Sequence, residues 1–168
     1  RRTVRHALAA GLDPVIVILG HELEKTRAEL EDLTCRTVLN PDHEKGIHGS
    51  VELGFAEIPP TAAAGIELLA DMPFVTDRVI TEIVRRYRDS NAPLVISTYG
   101  EILAPPFLYD RSLFAELRNL DSRQCTKQVA RRHLDEAVVV SWPPSMLADL
   151  DAPEDYARIR SELAVGYD

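Results

Sequence analysis

The sequence predicts an α/β fold, a three-layer α/β/α sandwich built on one mostly parallel, Rossmann-like sheet. Three observations predict it. Short β-branched runs are apolar at both odd and even positions, as strands covered on two faces are. Charged, amphipathic stretches of about two to four turns separate those runs. Finally, 168 residues, 45% apolar and 27% charged, suit one sizeable core, so a single domain over 1–168 is the expected organisation.

The elements follow in order. A helix from Arg1 to Ala10 ends at Gly11, and Pro14-Val15-Ile16-Val17-Ile18-Leu19-Gly20 is the first strand. Glu22 to Leu33 alternates Leu23 and Leu30 with charge, a helix, and Cys35 to Leu39 is a second strand. A loop from Asn40 to His48 feeds a helix from about Gly49 to Ala56. The strand Gly65 to Leu69 closes on Asp71-Met72-Pro73, and a helix from Asp77 to Arg88 leads to the strand Pro93 to Ser97. Pro105-Pro106 precede a short apolar Phe107-Leu108-Tyr109. Helices Arg111 to Leu117 and about Cys125 to His133, a strand Ala137 to Val140 and a helix Pro153 to Leu163 complete the alternation. In such sheets ligands bind beyond the carboxyl ends of the strands.

Composition excludes several functions. Nineteen basic against twenty-seven acidic side chains leave a net charge of −8, a poor field for a phosphate backbone or an anionic membrane. Two cysteines in no CxxC arrangement suggest neither a disulfide framework nor a zinc cluster, so a reducing cytoplasm is the expected setting. No apolar run approaches the roughly 18 residues of a membrane span. His21, His43 and His48 lack any HExxH spacing, and no Gly-x-Ser-x-Gly, Walker A or GxGxxG motif occurs.

Three segments carry candidate chemistry. Asp71 stands at the end of a strand, where a carboxylate can hold Mg²⁺ on substrate phosphates or simply cap the next turn, and Pro73 stiffens that turn. Asp149 and Asp151 stand at period two, so an extended backbone turns both to one side, although Asp151 also suits a cap for the helix opened by Pro153. The loop containing Asn40, Lys45, Gly46, His48, Gly49 and Ser50 offers N–H groups and a hydroxyl at a helix start, the donors an anion or a sugar needs, or else is only a turn. Cys125 lies near a helix start, where a thiolate is stabilised, but equally suits a buried apolar position.

The order of Ala9-Ala10-Gly11-Leu12-Asp13-Pro14-Val15-Ile16-Val17, Asn40-Pro41 with Gly46 and Ser50, Leu69-Ala70-Asp71-Met72-Pro73-Phe74-Val75-Thr76, and Asp149-Leu150-Asp151-Ala152-Pro153-Glu154-Asp155 resembles the MobA-like nucleotidyltransferases. The segment from Phe107 to Leu117 looks most like their molybdenum cofactor cytidylyltransferase branch. The resemblance implies the fold of the nucleotide-diphospho-sugar transferases. It also implies Mg²⁺ (or Mn²⁺)-dependent transfer of a nucleoside monophosphate, from CTP or GTP, to a phosphate on a molybdopterin-type acceptor, with pyrophosphate released. Asp71 would then be the principal metal ligand and catalytic residue, with Asp149 and Asp151 as further ligands. Asn40, Gly46, His48, Ser50 and Pro73 would hold nucleotide or acceptor. Partners would be these small molecules and a molybdoenzyme or its chaperone, with no nucleic acid and no membrane.

Three departures from the family pattern bear on that expectation. The family's opening strand and Gly-rich loop have no counterpart, so a segment ahead of Arg1 is expected. Ala104-Pro105-Pro106 stands where the family has Gly-His-Pro. Ser122-Arg123-Gln124-Cys125-Thr126 replaces Gly-Asp-x-Gly-Ala, with Asp121 one position away. These changes leave two alternatives: a transferase for a sugar phosphate or other phosphorylated acceptor, and a module that binds nucleotide or cofactor without transfer.

Overall fold

Period-two alternation builds the centre of the molecule. In the strand Leu94–Tyr99, Leu94 and Ile96 join one apolar cluster while Val95 and Tyr99 join another on the opposite face. Phe107–Asp110 repeats the pattern, with Phe107 and Tyr109 on the first face and Leu108 on the second. A sheet buried on both faces needs a helical layer on each side, and the chain supplies both. The computed structural model describes residues 1–120 and 126–148.

The elements, in chain order, are α1 (Arg2–Ala9), β1 (Ile16–Leu19), α2 (Leu23–Ala28), β2 (Arg36–Leu39), α3 (Ile47–Glu57), β3 (Ala64–Glu67), α4 (Asp77–Arg88), β4 (Leu94–Tyr99), β5 (Ile102–Leu103), β6 (Phe107–Asp110), α5 (Phe114–Leu117), α6 (Thr126–Arg132) and β7 (Val138–Trp142). On one face α4 lays Val79, Ile80 and Ile83 against Val95, Leu108 and Val140. Its outer side carries Arg85, which pairs with Glu82 at 2.8 Å and Asp89 at 2.7 Å. On the other face the Phe55 ring of α3 meets Tyr109 and Phe114 edge-on, at 5.6 and 5.1 Å between centroids. Gly65 permits this packing, because a Cβ there would stand 2.5 Å from Ile58 Cδ1 and 3.0 Å from Phe55 Cε1.

The three-layer fold is as expected, and the strand pairing adds detail to it. Among the described residues the strands form two sheets: β1–β2, and a five-stranded sheet ordered β3-β6-β4-β5 with β7 also on β4. Within the latter, β3–β6, β6–β4 and β4–β5 are antiparallel and β4–β7 is parallel, so β3, β4 and β7 run one way and β5 and β6 run against them. Connection length explains this. Gly100, with φ of 62°, opens a two-residue turn that folds β5 straight back on β4, and the three residues before β6 leave no room for a crossover helix.

Helix boundaries shift where burial overrides pattern. The helix expected over Glu22 to Leu33 shortens to α2, which has no buried residue to hold further turns in register; Leu30, at 4% exposure, is drawn in by a succeeding turn instead. The segment expected as one helix from Arg111 to Leu117 begins as a tight 3₁₀ turn capped by the Asp110 carboxylate, which accepts from Ser112 N–H at 2.9 Å. The expected helix Pro153 to Leu163, the carboxylates Asp149 and Asp151, and the segment holding Asp121 and Cys125 lie outside the described residues.

Candidate active site at the carboxyl ends of the first and third strands

Beyond β3 the chain runs Leu68-Leu69-Ala70 into the Asp71 turn, which closes with Val75 N–H donating to Met72 O at 3.2 Å. Met72, Phe74 and Val75 are buried at 2–3% exposure, so this turn is anchored from below by its own apolar side chains. Two residues of α1 brace it from the side. Arg2 Nε donates to Pro73 O at 3.2 Å, and Thr3 Oγ1 donates to Ala70 O at 3.4 Å. Asp71 therefore sits on a turn whose neighbours on both sides are held. Its Oδ1 is buried and has no hydrogen-bond partner. An ionised oxygen in that condition is costly unless a cation or donor completes it, which is the condition of a metal-ligating carboxylate before its metal is counted.

Across from this turn, the loop after β2 is organised by Asn40, which is 4% exposed. Its N–H donates to Leu19 O at 2.8 Å, its Oδ1 accepts from Asp42 N–H at 3.0 Å, and its Nδ2 donates to Ser50 Oγ at 3.0 Å. Asn40 is thus the clamp that pins the loop to β1 and to α3. Gly46 enters α3 with φ of 114°, a conformation that favours glycine, and α3 begins behind it without a side-chain cap. Its first N–H groups and the Ser50 hydroxyl hydrogen are the donors this loop presents. His48 lies over Gly46, where a Cβ would be 3.2 Å from His48 Nδ1. His43 packs on Gly20 and holds its Nδ1 3.3 Å from Asn40 O. Lys45 pairs with Asp42 at 2.8 Å instead of standing alone.

The two segments meet at one opening. Ser50 and Ala70 both line a cavity of about 400 Å³ between β1 and β3, with Thr3 on its rim. Of the residues expected at the site, the structure joins Asn40 to Ser50 directly, and the cavity that Ser50 lines is also lined by the chain from Ile66 to Ala70, the residue before Asp71. Among the described residues no group of three metal-binding side chains converges.

Two features were not anticipated from sequence. Arg2 and Thr3 looked like the start of a helix and nothing more, since no local pattern signals a contact about 70 positions away. Glu67 is the other. Its Oε1 accepts from Thr126 Oγ1 at 3.1 Å, its Oε2 has no partner, and burial pushes its carboxyl up to about 7 against the opposing pull of Thr126 and Lys127. The available signal was a lone charge inside an otherwise apolar strand.

The model of the MobA-like NTP transferase domain matches residues 1–138. The chain belongs to that family. Similar folds include Rv0371c of Mycobacterium tuberculosis H37Rv in complex with manganese (TM-score 0.79, 22% identity, covering 94% of this chain and 83% of that one). They also include a nucleotidyl transferase from Methanothermobacter (TM-score 0.81, 20% identity, 98% and 80% covered). A third is the 4-diphosphocytidyl-2C-methyl-D-erythritol synthase of Anaerococcus prevotii (TM-score 0.75, 15% identity, 98% and 86% covered). No curated protein matches the chain. No helix among the described residues is long and apolar enough to cross a membrane.

Proposed function

We propose that this MobA-like NTP transferase domain moves a nucleoside monophosphate, CMP from CTP, onto the phosphate of a molybdopterin-type acceptor and releases pyrophosphate. The carrying observation is Asp71: a carboxylate at a strand's carboxyl end, on a braced turn, with a buried oxygen lacking any partner. Asp71 fits a divalent cation, Mg²⁺ or Mn²⁺, with Asp149 and Asp151 as the further ligands of the same reading. When bound, such a cation neutralises triphosphate charge that would otherwise repel an attacking phosphate.

The chain's own residues then position rather than attack. The acceptor phosphate oxygen forms the bond to the α-phosphorus, and the bond to the pyrophosphate oxygen breaks, so no protein nucleophile is required. The uncapped start of α3 behind Gly46 and the Ser50 hydroxyl offer donors to phosphate or sugar oxygens, with His48 beside them. Asn40 fixes where Ser50 stands. Pro73, with its carbonyl held by Arg2, keeps the Asp71 turn from relaxing away.

The deciding experiment follows pyrophosphate release from CTP and GTP with the molybdopterin-type acceptor, comparing wild type with Asp71→Asn. The amide fits the carboxylate's space but not its charge, so the turnover should fall by about a hundredfold or more with the fold intact by circular dichroism. Unchanged turnover would remove Asp71 from the site.

A second acceptor reading, a sugar phosphate or another phosphorylated metabolite, is favoured by one observation. Ala104-Pro105-Pro106 presents no polar side chain, and its two proline carbonyls are engaged: Pro106 O accepts from Ser97 Oγ at 2.8 Å and Pro105 O from Tyr99 OH at 3.0 Å. Such a segment offers an acceptor no polar side chain where the family pattern has a histidine. An acceptor panel run beside the CTP assay separates the two readings.

A further inference from the structure

Strand alternation places one charged side chain on an apolar face. Gly65 of β3 packs against Phe55, Ile58 and Phe114, so Glu67, two residues on, points to the same side of the sheet. Its cross-strand neighbour on β6 is Phe107, and that face is otherwise built from buried Phe107, Tyr109, Phe114 and Val129. Apolar packing of this kind has no use for a carboxyl. What the carboxyl meets is the first residue of α6: Thr126 Oγ1 donates to Glu67 Oε1 at 3.1 Å. Thr126 is held a second time, its carbonyl accepting from Tyr109 OH at 3.2 Å. Two strands of the sheet therefore grip one residue of α6.

The charges on the surrounding elements leave the balance to burial. Lys127, next on α6, pulls Glu67 toward ionisation. On α3, Glu57 pairs with Arg36, and on α5, Glu116 is engaged by Arg132 and His133. On β6, Asp110 accepts from Tyr87 OH and Ser112 N–H. Against the one pull from Lys127 stands Glu67 Oε2, buried and without a hydrogen-bond partner. Charge on an unpaired buried oxygen costs more than a proton there, and burial accordingly raises the carboxyl to about 7.

We propose that Glu67 is a positioning residue, a proton-operated latch that docks the start of α6 on the carboxyl end of β3. The neutral carboxyl lies against Thr126; the ionised one leaves the apolar face and frees the helix start. Only a proton is exchanged, passing from Glu67 to water as the side chain reaches solvent, and otherwise hydrogen bonds alone change. Glu67 stands four positions before Asp71, so the latch works at the strand end that carries that turn. Its sign follows from the two environments. Docked, the carboxyl titrates near 7; freed, it returns to an ordinary glutamate's 4.5. Between those values the docked form holds the proton more tightly, so docking weakens as pH rises and levels off above, a fall of about tenfold from pH 6 to pH 8.

Amide hydrogen exchange of the 168-residue protein at pH 6, 7 and 8, corrected for the intrinsic pH dependence of exchange, tests this. Ala130, Arg131, Arg132 and His133 report α6, and the paired amides of β4 and β7 mark a folded core. Protection in α6 should fall about tenfold from pH 6 to pH 8 while the reference amides hold. Glu67→Gln, neutral and of the same size, should keep α6 equally protected at all three values. A second reading needs no variant: the Glu67 carboxyl carbon, followed by NMR, should titrate with the same midpoint as the loss of protection. Wild-type protection that stays flat overturns the proposal, as does a Glu67→Gln profile that declines like the wild type's, or a carboxyl midpoint a full pH unit from the loss of protection. None of these readings uses nucleotide or acceptor, so the latch and the proposed activity fail separately.

Discussion

Two strands of nearly the same composition sit in different surroundings. Leu94-Val95-Ile96 in β4 is 0% exposed at all three positions and has strand partners in β6 and β7. Val15-Ile16-Val17-Ile18 around β1 is half-buried throughout and pairs only with β2 among the described residues. A run of Val and Ile announces that a strand is meant for a sheet's interior, but the neighbours decide how much of that burial is realised. Ile96→Ala should therefore cost about 2–5 kcal/mol, since closely packed atoms on all sides prevent collapse of the space left behind. Ile18→Ala, on the wall of the cavity, should cost roughly 1 kcal/mol, because the side chain already faces open volume. Urea denaturation of both variants measures the difference directly. Equal costs would mean that β1 is as fully packed as β4, and the comparison would break.

The same boundary carries the largest expected pH effect. Glu67 projects from β3 into the layer of α6, and an ordinary glutamate carboxyl near 4.5 is raised there to about 7 by burial. Between those two values the folded protein keeps a proton that the unfolded chain has released. Stability contributed by the neutral carboxyl is therefore complete below pH 4.5, declines as pH rises through 7 and is flat above, a loss of about 3 kcal/mol in all. Glu67→Gln has no proton to lose. Its unfolding free energy should fall less steeply between pH 5 and 7 than the wild type's, and the difference between the two profiles isolates this one group from the other carboxylates. Parallel profiles would show that Glu67 is ionised and solvated in the folded protein.

How much of this was legible in the sequence depends on the range of the interaction involved. The βα alternation, the Asp77 to Arg88 helix and the Asp71 turn were readable because each is written in a few consecutive residues: periodic Val79, Ile80 and Ile83, or a carboxylate and proline after an apolar strand. The antiparallel placement of β6 is legible in principle from the short link after Gly100, a detail that the expectation of a mostly parallel sheet leaves open. The bracing of Asp71 by Arg2 and Thr3, and the burial of Glu67 under Thr126, join positions about 60 to 70 residues apart, and no local pattern encodes such meetings. Asn40 was singled out as a substrate contact. The structure places its side chain between Asp42 and Ser50, a role that spacing alone cannot separate from binding, since both use the same amide.

On the fully paired side of the comparison, the smallest effect should come from the polar network that finishes the β4–β7 ladder. Trp142 Nε1 donates to Ser97 Oγ at 3.0 Å, and that hydroxyl donates onward to Pro106 O at 2.8 Å. Ser97 is completely buried, so the order of deletion matters. Ser97→Ala strands both a carbonyl and an indole N–H and should cost about 2 kcal/mol, whereas Trp142→Phe removes only the outer donor and leaves the bond to Pro106 intact. The latter should cost roughly 1 kcal/mol, part of it lost packing, and the double variant should cost less than the two singles together because they share one chain of bonds. Strict additivity in that cycle would show that Trp142 and Ser97 act independently.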